Sequence, residues 1–256
     1  MKNIKKILLT MAMTMALGTS AFAASGFEFL LQASGGINVG IPTKETKDLF
    51  SQIKGQVGGG AGVDAQIGYM ISVKDGFGVS VLAELGYSWD FYRMGYGDTG
   101  ITGSSANGVW SYEAKDGLNY WQQYHSFKIG LLPKFNIGVG SKGAIALGIG
   151  GGVKIPLVGR SGTVATSVGT GPTKEELESR LEVNLKRQDI VDLYSPSVIG
   201  YLKVTFDYYL FFTDNIGMNF GLYLGGDFAP KMKETKIGAD AFDFGLQVGF
   251  RFGPKA

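Results

Sequence analysis

The chain contains no cysteine. Disulfide bonds, thiol catalysis and a lipid-anchored N-terminal cysteine are therefore excluded. It also contains a single histidine, His125, so neither a second histidine nor a cysteine is available beside it to hold a transition metal. We expect no metal site and no cofactor. A chain without disulfides or a metal must gain its stability from burial or from a closed sheet.

Long hydrophobic runs are also rare, and the one near the start is short. The sequence MKNIKKILLTMAMTMALGTSAFA places three lysines before a mostly apolar stretch and ends with the small-residue pattern Ala21-Phe22-Ala23. A membrane-spanning helix needs about 20 apolar residues, which this stretch does not supply. The pattern is typical of a secretory signal peptide. We therefore predict a signal peptide at 1–23 and one exported domain at 24–256.

Acidic and basic residues are nearly balanced, so the chain has no large net charge of either sign. The formal net charge is +2, and it falls to −1 once the three lysines of the predicted signal peptide are removed. A nucleic-acid partner, which would need a basic surface, is not expected. Glycine, by contrast, is abundant at 41 residues, and helices tolerate glycine poorly. The composition favours an all-β fold.

Alternation of apolar and polar residues is the strongest pattern in the chain. In FDFGLQVGFRF, the segment 242–252, every second residue is large and apolar, and Asp243 and Arg251 lie between them. A period of two predicts a β-strand with one apolar and one polar face. Seven further segments share the pattern: 27–41, 61–73, 77–91, 125–139, 145–157, 198–212 and 216–228. Their apolar faces contain no acidic or basic residue.

The connections between these eight segments alternate in length. Short joins with turn-forming residues lie at 74–76, 140–143 and 213–215, and long polar segments make the other joins. This alternation predicts an up-and-down antiparallel sheet with tight turns at one end and long loops at the other. In lipid such a sheet must close into a barrel, because an open edge would leave backbone groups unpaired.

One residue conflicts with a regular sheet. Pro133 lies within the fourth predicted strand, and proline cannot donate a ladder hydrogen bond. We expect a β-bulge at that position, or a register that differs by one residue.

The apolar faces could contact a protein core or lipid, since a soluble barrel of the lipocalin kind gives the same alternation. Aromatic residues favour lipid, because they cluster at both ends of the apolar faces, as at the two interfaces of a bilayer. The predicted girdles include Phe27, Phe29 and Phe212 at the short-turn end and Tyr87, Trp89 and Phe91 at the long-loop end. We therefore predict a transmembrane eight-stranded antiparallel β-barrel.

The polar faces of the predicted strands carry charges of both signs, and in a closed barrel they point into the lumen. We expect these side chains to pair with one another: Glu28, Asp64, Glu84, Asp90, Asp207, Asp227 and Asp243 with Lys128, Lys134, Lys154, Lys203 and Arg251. The interior of an eight-stranded barrel is just wide enough for side chains to fill it. A packed lumen and a narrow channel for ions or small solutes both remain open.

With its signal, alternating strands, short turns, long loops and aromatic end, the chain resembles the small eight-stranded outer-membrane proteins of the OmpA/OmpX type, which have porin-like barrels. The resemblance implies a bacterial outer-membrane location in contact with lipid, with extracellular loops and with the turns and both termini in the periplasm. It also implies that Phe250 and Phe252 in the last strand are recognised by the outer-membrane assembly machinery. Gly253-Pro254-Lys255-Ala256 follow Phe252 and depart from that pattern.

Two long segments, 93–124 and 158–197, are the predicted surfaces for an extracellular ligand, because loops on a rigid scaffold often carry function. In the second segment, Thr173 and Glu176 form a capping box. Leucines at 177, 181 and 185 recur at helical spacing in the same stretch. We predict a short amphipathic helix there, which packs over the barrel mouth or, as the alternative, binds a partner.

Signals for enzyme chemistry are weak in this sequence. Residues 138–143 match the pattern G-x-G-x-x-G, but a strand rather than a helix follows, so a turn is the better interpretation. His125 and Ser126 are candidates for an outer-rim lipid A hydrolase, but neighbouring strand residues point to opposite faces. The sequence favours a non-enzymatic barrel with adhesive or partner-binding loops, ahead of a narrow channel and of a lipid A hydrolase.

Overall fold

A computed structural model describes residues 25–96, 101–106, 109–114, 117–168 and 176–255. The predicted signal peptide, 1–23, and the predicted capping residue Thr173 lie outside the described residues. None of the described helices is long and apolar enough to cross a membrane. In chain order the elements are β1 Gly26–Pro42, α1 Lys44–Leu49, β2 Lys54–Lys74, β3 Phe77–Tyr96, β4 Ile101–Ala106, β5 Val109–Ala114, β6 Gly117–Val139, β7 Gly143–Val168, β8 Glu176–Lys186, α2 Arg187–Leu193, β9 Tyr194–Ser195, β10 Ile199–Phe211, β11 Ile216–Phe228, β12 Lys231–Met232 and β13 Ala239–Phe252.

Eight of these strands close into one barrel, in the order β1, β2, β3, β6, β7, β10, β11 and β13. β13 pairs with β1 to complete the ring, and this closing register places Phe29 opposite Phe252 and Val39 opposite Phe242. Each neighbouring pair in the ring is antiparallel. The eight-stranded antiparallel barrel predicted from the alternation is confirmed.

The barrel wall has an apolar exterior and a charged interior. On the outside, Leu246 is 65% exposed and Ile149 is 64% exposed, and exposed apolar side chains continue around the ring. Inside, Glu84 and Asp207 are fully buried. A soluble barrel would bury its apolar face and expose its charged one, so the lipocalin alternative is excluded. The fold is a transmembrane β-barrel, with apolar side chains where lipid tails contact the wall.

The wall continues beyond the predicted strands at the long-loop end. The ends of β2, β3, β6 and β7 all extend past the bounds expected from alternation. β8 then pairs with this extension of β7, from Val158 opposite Lys186 to Val168 opposite Glu176. Parts of the segments 93–124 and 158–197 are therefore regular sheet. We call the long-loop ends of β2, β3, β6 and β7, together with β8, the outer sheet.

A short helix is present in the second long segment, as predicted, but it lies further along the chain. Residues 176–186, predicted to be helical, form β8, and α2 follows directly after them. Side chains four residues apart share one face of a helix, and they also share one face of a strand, because a strand repeats every two residues. Leu181 and Leu185 therefore fit either structure. Val183 lies between them in the same alternation. Backbone pairing with β7 stabilises the strand.

The β-bulge expected at Pro133 is not formed. Pro133 lies opposite Val81 of β3 without a shift in register. On the β7 side, Leu131 lies opposite Gly151 and Lys134 lies opposite Gly148, so the pairing register is the same before and after Pro133. Leu132 and Pro133 alone are not paired with β7 in this stretch. The missing N–H is thus accommodated without an inserted residue. The register shift in this strand lies instead between His125 and Ser126.

Candidate functional site

Arg251 fills the lumen at the short-turn end of the barrel. Its side chain is fully buried, forms an ion pair with Glu28 and donates a hydrogen bond to Asn136 Oδ1 at 3.2 Å. The guanidinium carbon lies 4.4 Å from the ring centre of Tyr209 and 5.5 Å from that of Phe211. Pairing and cation–π contacts together offset the cost of burying this charge. Packed side chains close this end of the lumen.

The residues after Phe252 cover the same end from outside. Arg251 Nη2 donates to the carbonyl oxygen of Pro254 at 3.0 Å. The Gly253 amide donates to the carbonyl oxygen of Asn215, in the last short turn, at 2.9 Å. The tail thus folds back across the barrel mouth. The residues that follow Phe252 therefore have a structural role, because Pro254 supplies an acceptor to the buried arginine.

We call Arg251, together with Glu28, Tyr209 and Phe211, the plug. A second ion pair lies beside it. Lys134 Nζ is 2.9 Å from Asp207 Oδ2 and donates to the Tyr209 hydroxyl at 3.1 Å. Asp207 also accepts hydrogen bonds from Gln247 and, at 3.2 Å, from the Thr205 hydroxyl. The carboxylate and the ammonium group are both fully buried. A carboxylate that accepts from this many donors is a fixed part of the packing.

The middle of the lumen contains two further ion pairs. Lys128 Nζ lies 2.8 Å from Asp64 Oδ2, and Lys203 Nζ lies 2.5 Å from Glu84 Oε1. The Tyr201 hydroxyl donates to Glu84 Oε2 at 2.9 Å. The contacts of Glu84 therefore join β3 to β10 across the interior. Sequence alone predicted which charges face the lumen but left their partners undefined.

Lys154 lies between two carboxylates near the long-loop end. Its Nζ is 2.7 Å from Asp90 Oδ1 and 2.7 Å from Asp227 Oδ2. The Tyr92 hydroxyl donates to the same Asp227 oxygen at 2.7 Å. Among the described residues, Asp243 is the one lumen carboxylate without an ion pair. It lines a cavity of about 60 Å³, which is large enough for water.

Glycines on the polar faces make room for these long side chains. A Cβ atom on Gly130 would collide with the Tyr201 hydroxyl, and one on Gly221 would collide with the Asp207 carboxylate. A glycine inside a strand often marks such a close approach. The high glycine content of the lumen face is therefore a packing requirement of its charge network.

An apolar layer covers the charged lumen at the long-loop end. It consists of the buried side chains of Tyr92, Tyr124, Leu185, Ile190, Tyr194, Ile199, Ala229 and Ala241. Leu185 comes from β8 and Ile190 from α2. Sequence reasoning expected Leu185 to pack over the barrel mouth from a helix, whereas it packs there from a strand, and Ile190 was not singled out. The alternation of Leu181, Val183 and Leu185 is the signal that would have found this face. Next to the layer, a cavity of about 340 Å³ opens under the outer sheet.

His125 and Ser126 lie on opposite faces of β6. Ser126 is fully buried on the lumen side. On the exterior, His125 Nδ1 forms a hydrogen bond with the Tyr87 hydroxyl, and Gln123 Nε2 lies 3.2 Å from His125 Nε2. A hydrolase needs contact between nucleophile and base, and these two residues do not make it.

The predicted girdle residues lie at the two ends of the apolar exterior. At the short-turn end, Phe27 is 43% exposed and Phe212 is 56% exposed. At the long-loop end, Tyr87 is 45% exposed, and the rings of Trp89 and Phe91 stack with their centres 6.3 Å apart. Aromatic side chains in these positions suit the two interfaces of a bilayer. Fold and interior together define the class: a small transmembrane β-barrel with a charge-paired lumen.

No protein-family model matches the chain, and no curated protein matches it. Among solved structures, Neisserial surface protein A is 12% identical over 89% of this chain and 99% of its own, with a TM-score of 0.36. The outer membrane protease OmpT from Escherichia coli is 10% identical over 92% and 99%, with a TM-score of 0.36. Ail, the attachment invasion locus protein of Yersinia pestis, is 10% identical over 90% and 100%, with a TM-score of 0.33. Similarity at this level gives no information about activity, and the assignment of the fold is based on the strand pairing.

Proposed function

We propose that this protein is a non-enzymatic barrel of the bacterial outer membrane, with a non-conducting lumen and an outer sheet that binds partners at the cell surface. The plug at the short-turn end carries the proposal. Arg251 is fully buried, paired with Glu28 and covered by Tyr209 and Phe211. In a barrel of eight strands, such side chains leave little space for a water-filled path.

The proposed location is supported by the closed wall and its apolar exterior, which lipid of the outer membrane would contact. Phe250 is 47% exposed on the last strand, and we propose that the assembly machinery recognises it together with Phe252. The described ends of the chain, Ser25 and Lys255, lie at the end of the barrel with the short turns. We place this end, with the turns and both termini, in the periplasm. The outer sheet, with the segments 93–124 and 158–197, would then face the exterior.

The proposed orientation is testable because the chain has no cysteine of its own. Asn184→Cys places a single thiol on the exposed face of β8, and Asp214→Cys places one in an exposed short turn. A membrane-impermeant maleimide should label Asn184→Cys on intact cells and label Asp214→Cys only after the outer membrane is permeabilised. Labelling of Asp214→Cys alone on intact cells would reverse the orientation.

Planar bilayers test the closed lumen. Purified wild-type protein should insert without unitary currents, because paired side chains fill the interior. Arg251→Ala removes the largest plug residue and should allow brief openings if it still inserts. Regular, ion-selective currents from the wild type would contradict the proposal.

A narrow channel is the second candidate, and one observation favours it. Asp243 has no ion pair among the described residues and lines the cavity of about 60 Å³. An unpaired acid beside water could form part of a cation path. Currents that change their cation preference in Asp243→Asn would support this alternative.

A further inference from the structure

The cavity under the outer sheet has the lining of a binding site. It has a volume of about 340 Å³, within the range of about 300–1,000 Å³ for small-molecule pockets. Its floor includes Ile53, Met94 and Leu185, which are at most 4% exposed. Its rim includes Leu181 and Val183, which are 64% and 45% exposed. A buried apolar floor with an open rim allows a small molecule to enter and lose contact with water.

The lining also restricts the chemistry of the ligand. No charged side chain lines the cavity among the described residues. Hydroxyl-bearing side chains do line it: Tyr120 of β6, Ser161 and Thr163 of β7, Thr46 of α1 and Tyr194 of β9. Gln122 Nε2 donates to the Tyr120 hydroxyl at 2.9 Å, which holds that hydroxyl in place. A charged ligand would be desolvated here without a partner, whereas an uncharged one with a hydroxyl or carbonyl group would be satisfied.

We infer that this cavity binds a small, uncharged, largely apolar molecule that carries at most a few hydroxyl or carbonyl groups. The inference deepens the proposed function and rests on it for one point, which is that the outer sheet faces the exterior. The apolar layer and the paired lumen below it close the route into the barrel. The cavity is therefore a binding site at the surface and not an entrance to a pore.

The test uses purified protein in lipid nanodiscs and 1-aminoanthracene, an uncharged fluorescent aromatic amine, as the probe. Wild-type discs should show a saturable rise in probe fluorescence above that of empty discs. Ser161→Trp fills the cavity and should weaken binding by about tenfold or more, since a ring occupies the space of the ligand. The matched control is Arg160→Trp, because Arg160 is the preceding residue of β7 and points outward. It should change the affinity by less than about twofold.

A second variant covers the case in which Ser161→Trp does not fold. Val183→Arg adds a charge at the partly exposed rim, where folding should tolerate it, and it should also weaken the probe. Equal binding to wild-type and empty discs, or full affinity in both cavity variants, would overturn the inference. Failure of the proposed function is seen separately, as regular currents in planar bilayers or as reversed cysteine labelling. Absent binding with silent bilayers and correct labelling would therefore remove the binding site alone.

Discussion

The two ends of the barrel are filled in different ways. At the short-turn end, charges are neutralised in pairs, and Arg251 is enclosed by Glu28, two aromatic rings and the returning tail. At the long-loop end, Lys154 forms ion pairs with two carboxylates, and Asp243 has no ion pair among the described residues. Apolar side chains above them form a second core, which includes Leu185 of β8. The short-turn end is packed with paired side chains, and the long-loop end combines an apolar core with open space.

Arg251→Ala should produce the largest loss of stability. Removing one partner of a buried pair leaves Glu28 charged and unpaired, which costs about 3–5 kcal/mol. Unfolding by urea in lipid vesicles, followed by tryptophan fluorescence, measures the change.

The control for this variant is the exposed ion pair of the outer sheet. Arg160 Nη2 lies 3.3 Å from Glu182 Oε2, and both side chains are about half exposed. Arg160→Ala should cost less than about 1 kcal/mol, because water screens such a pair. Equal losses in both variants would show that Arg251 does not act as a plug.

Leu185→Ala should have the next largest effect, and the effect should be confined to the long-loop end. Leu185 is 3% exposed, and truncating a buried leucine costs about 2–5 kcal/mol. We expect faster protease cleavage within 176–193, with little change in the urea midpoint of the barrel. Asn184→Ala, on the opposite face of β8, should leave the cleavage rate near that of the wild type. A lowered urea midpoint in Leu185→Ala would mean that the two ends unfold as one unit.

The contrast between the two ends also explains which features sequence predicted. Alternation is local, so the eight strands, their faces and their order follow from residues such as Phe242 and Asp243 in direct succession. Ion-pair partners are not local: Glu28 and Arg251 meet only because β13 closes on β1. β8 was missed because even spacings suit strand and helix alike, and backbone pairing with β7 is a tertiary contact.

Gly130→Ala tests whether the middle of the lumen is as tightly packed as the plug. The added methyl group would displace the Tyr201 hydroxyl from Glu84, and we expect a loss of about 1–3 kcal/mol. Gly35→Ala is the matched control, because the nearest atom to its new Cβ would be 3.9 Å away. Urea unfolding of the two variants should differ clearly. Equal stability would mean that the lumen adjusts to added volume, which favours the channel alternative.

Asp243→Asn should produce the smallest effect and so sharpens the difference between the ends. The substitution removes a charge that has no ion pair among the described residues, and Asp243 Oδ1 is buried without a hydrogen-bond partner there. Losing an unpaired buried charge should leave stability within about 1 kcal/mol of the wild type or raise it, since desolvation no longer opposes folding. Asp227→Asn is the control, because Asp227 pairs with Lys154 and accepts from Tyr92. If Asp243→Asn lost as much stability as Asp227→Asn in urea unfolding, Asp243 would belong to the paired network, and the open space at the long-loop end would have no unpaired acid beside it.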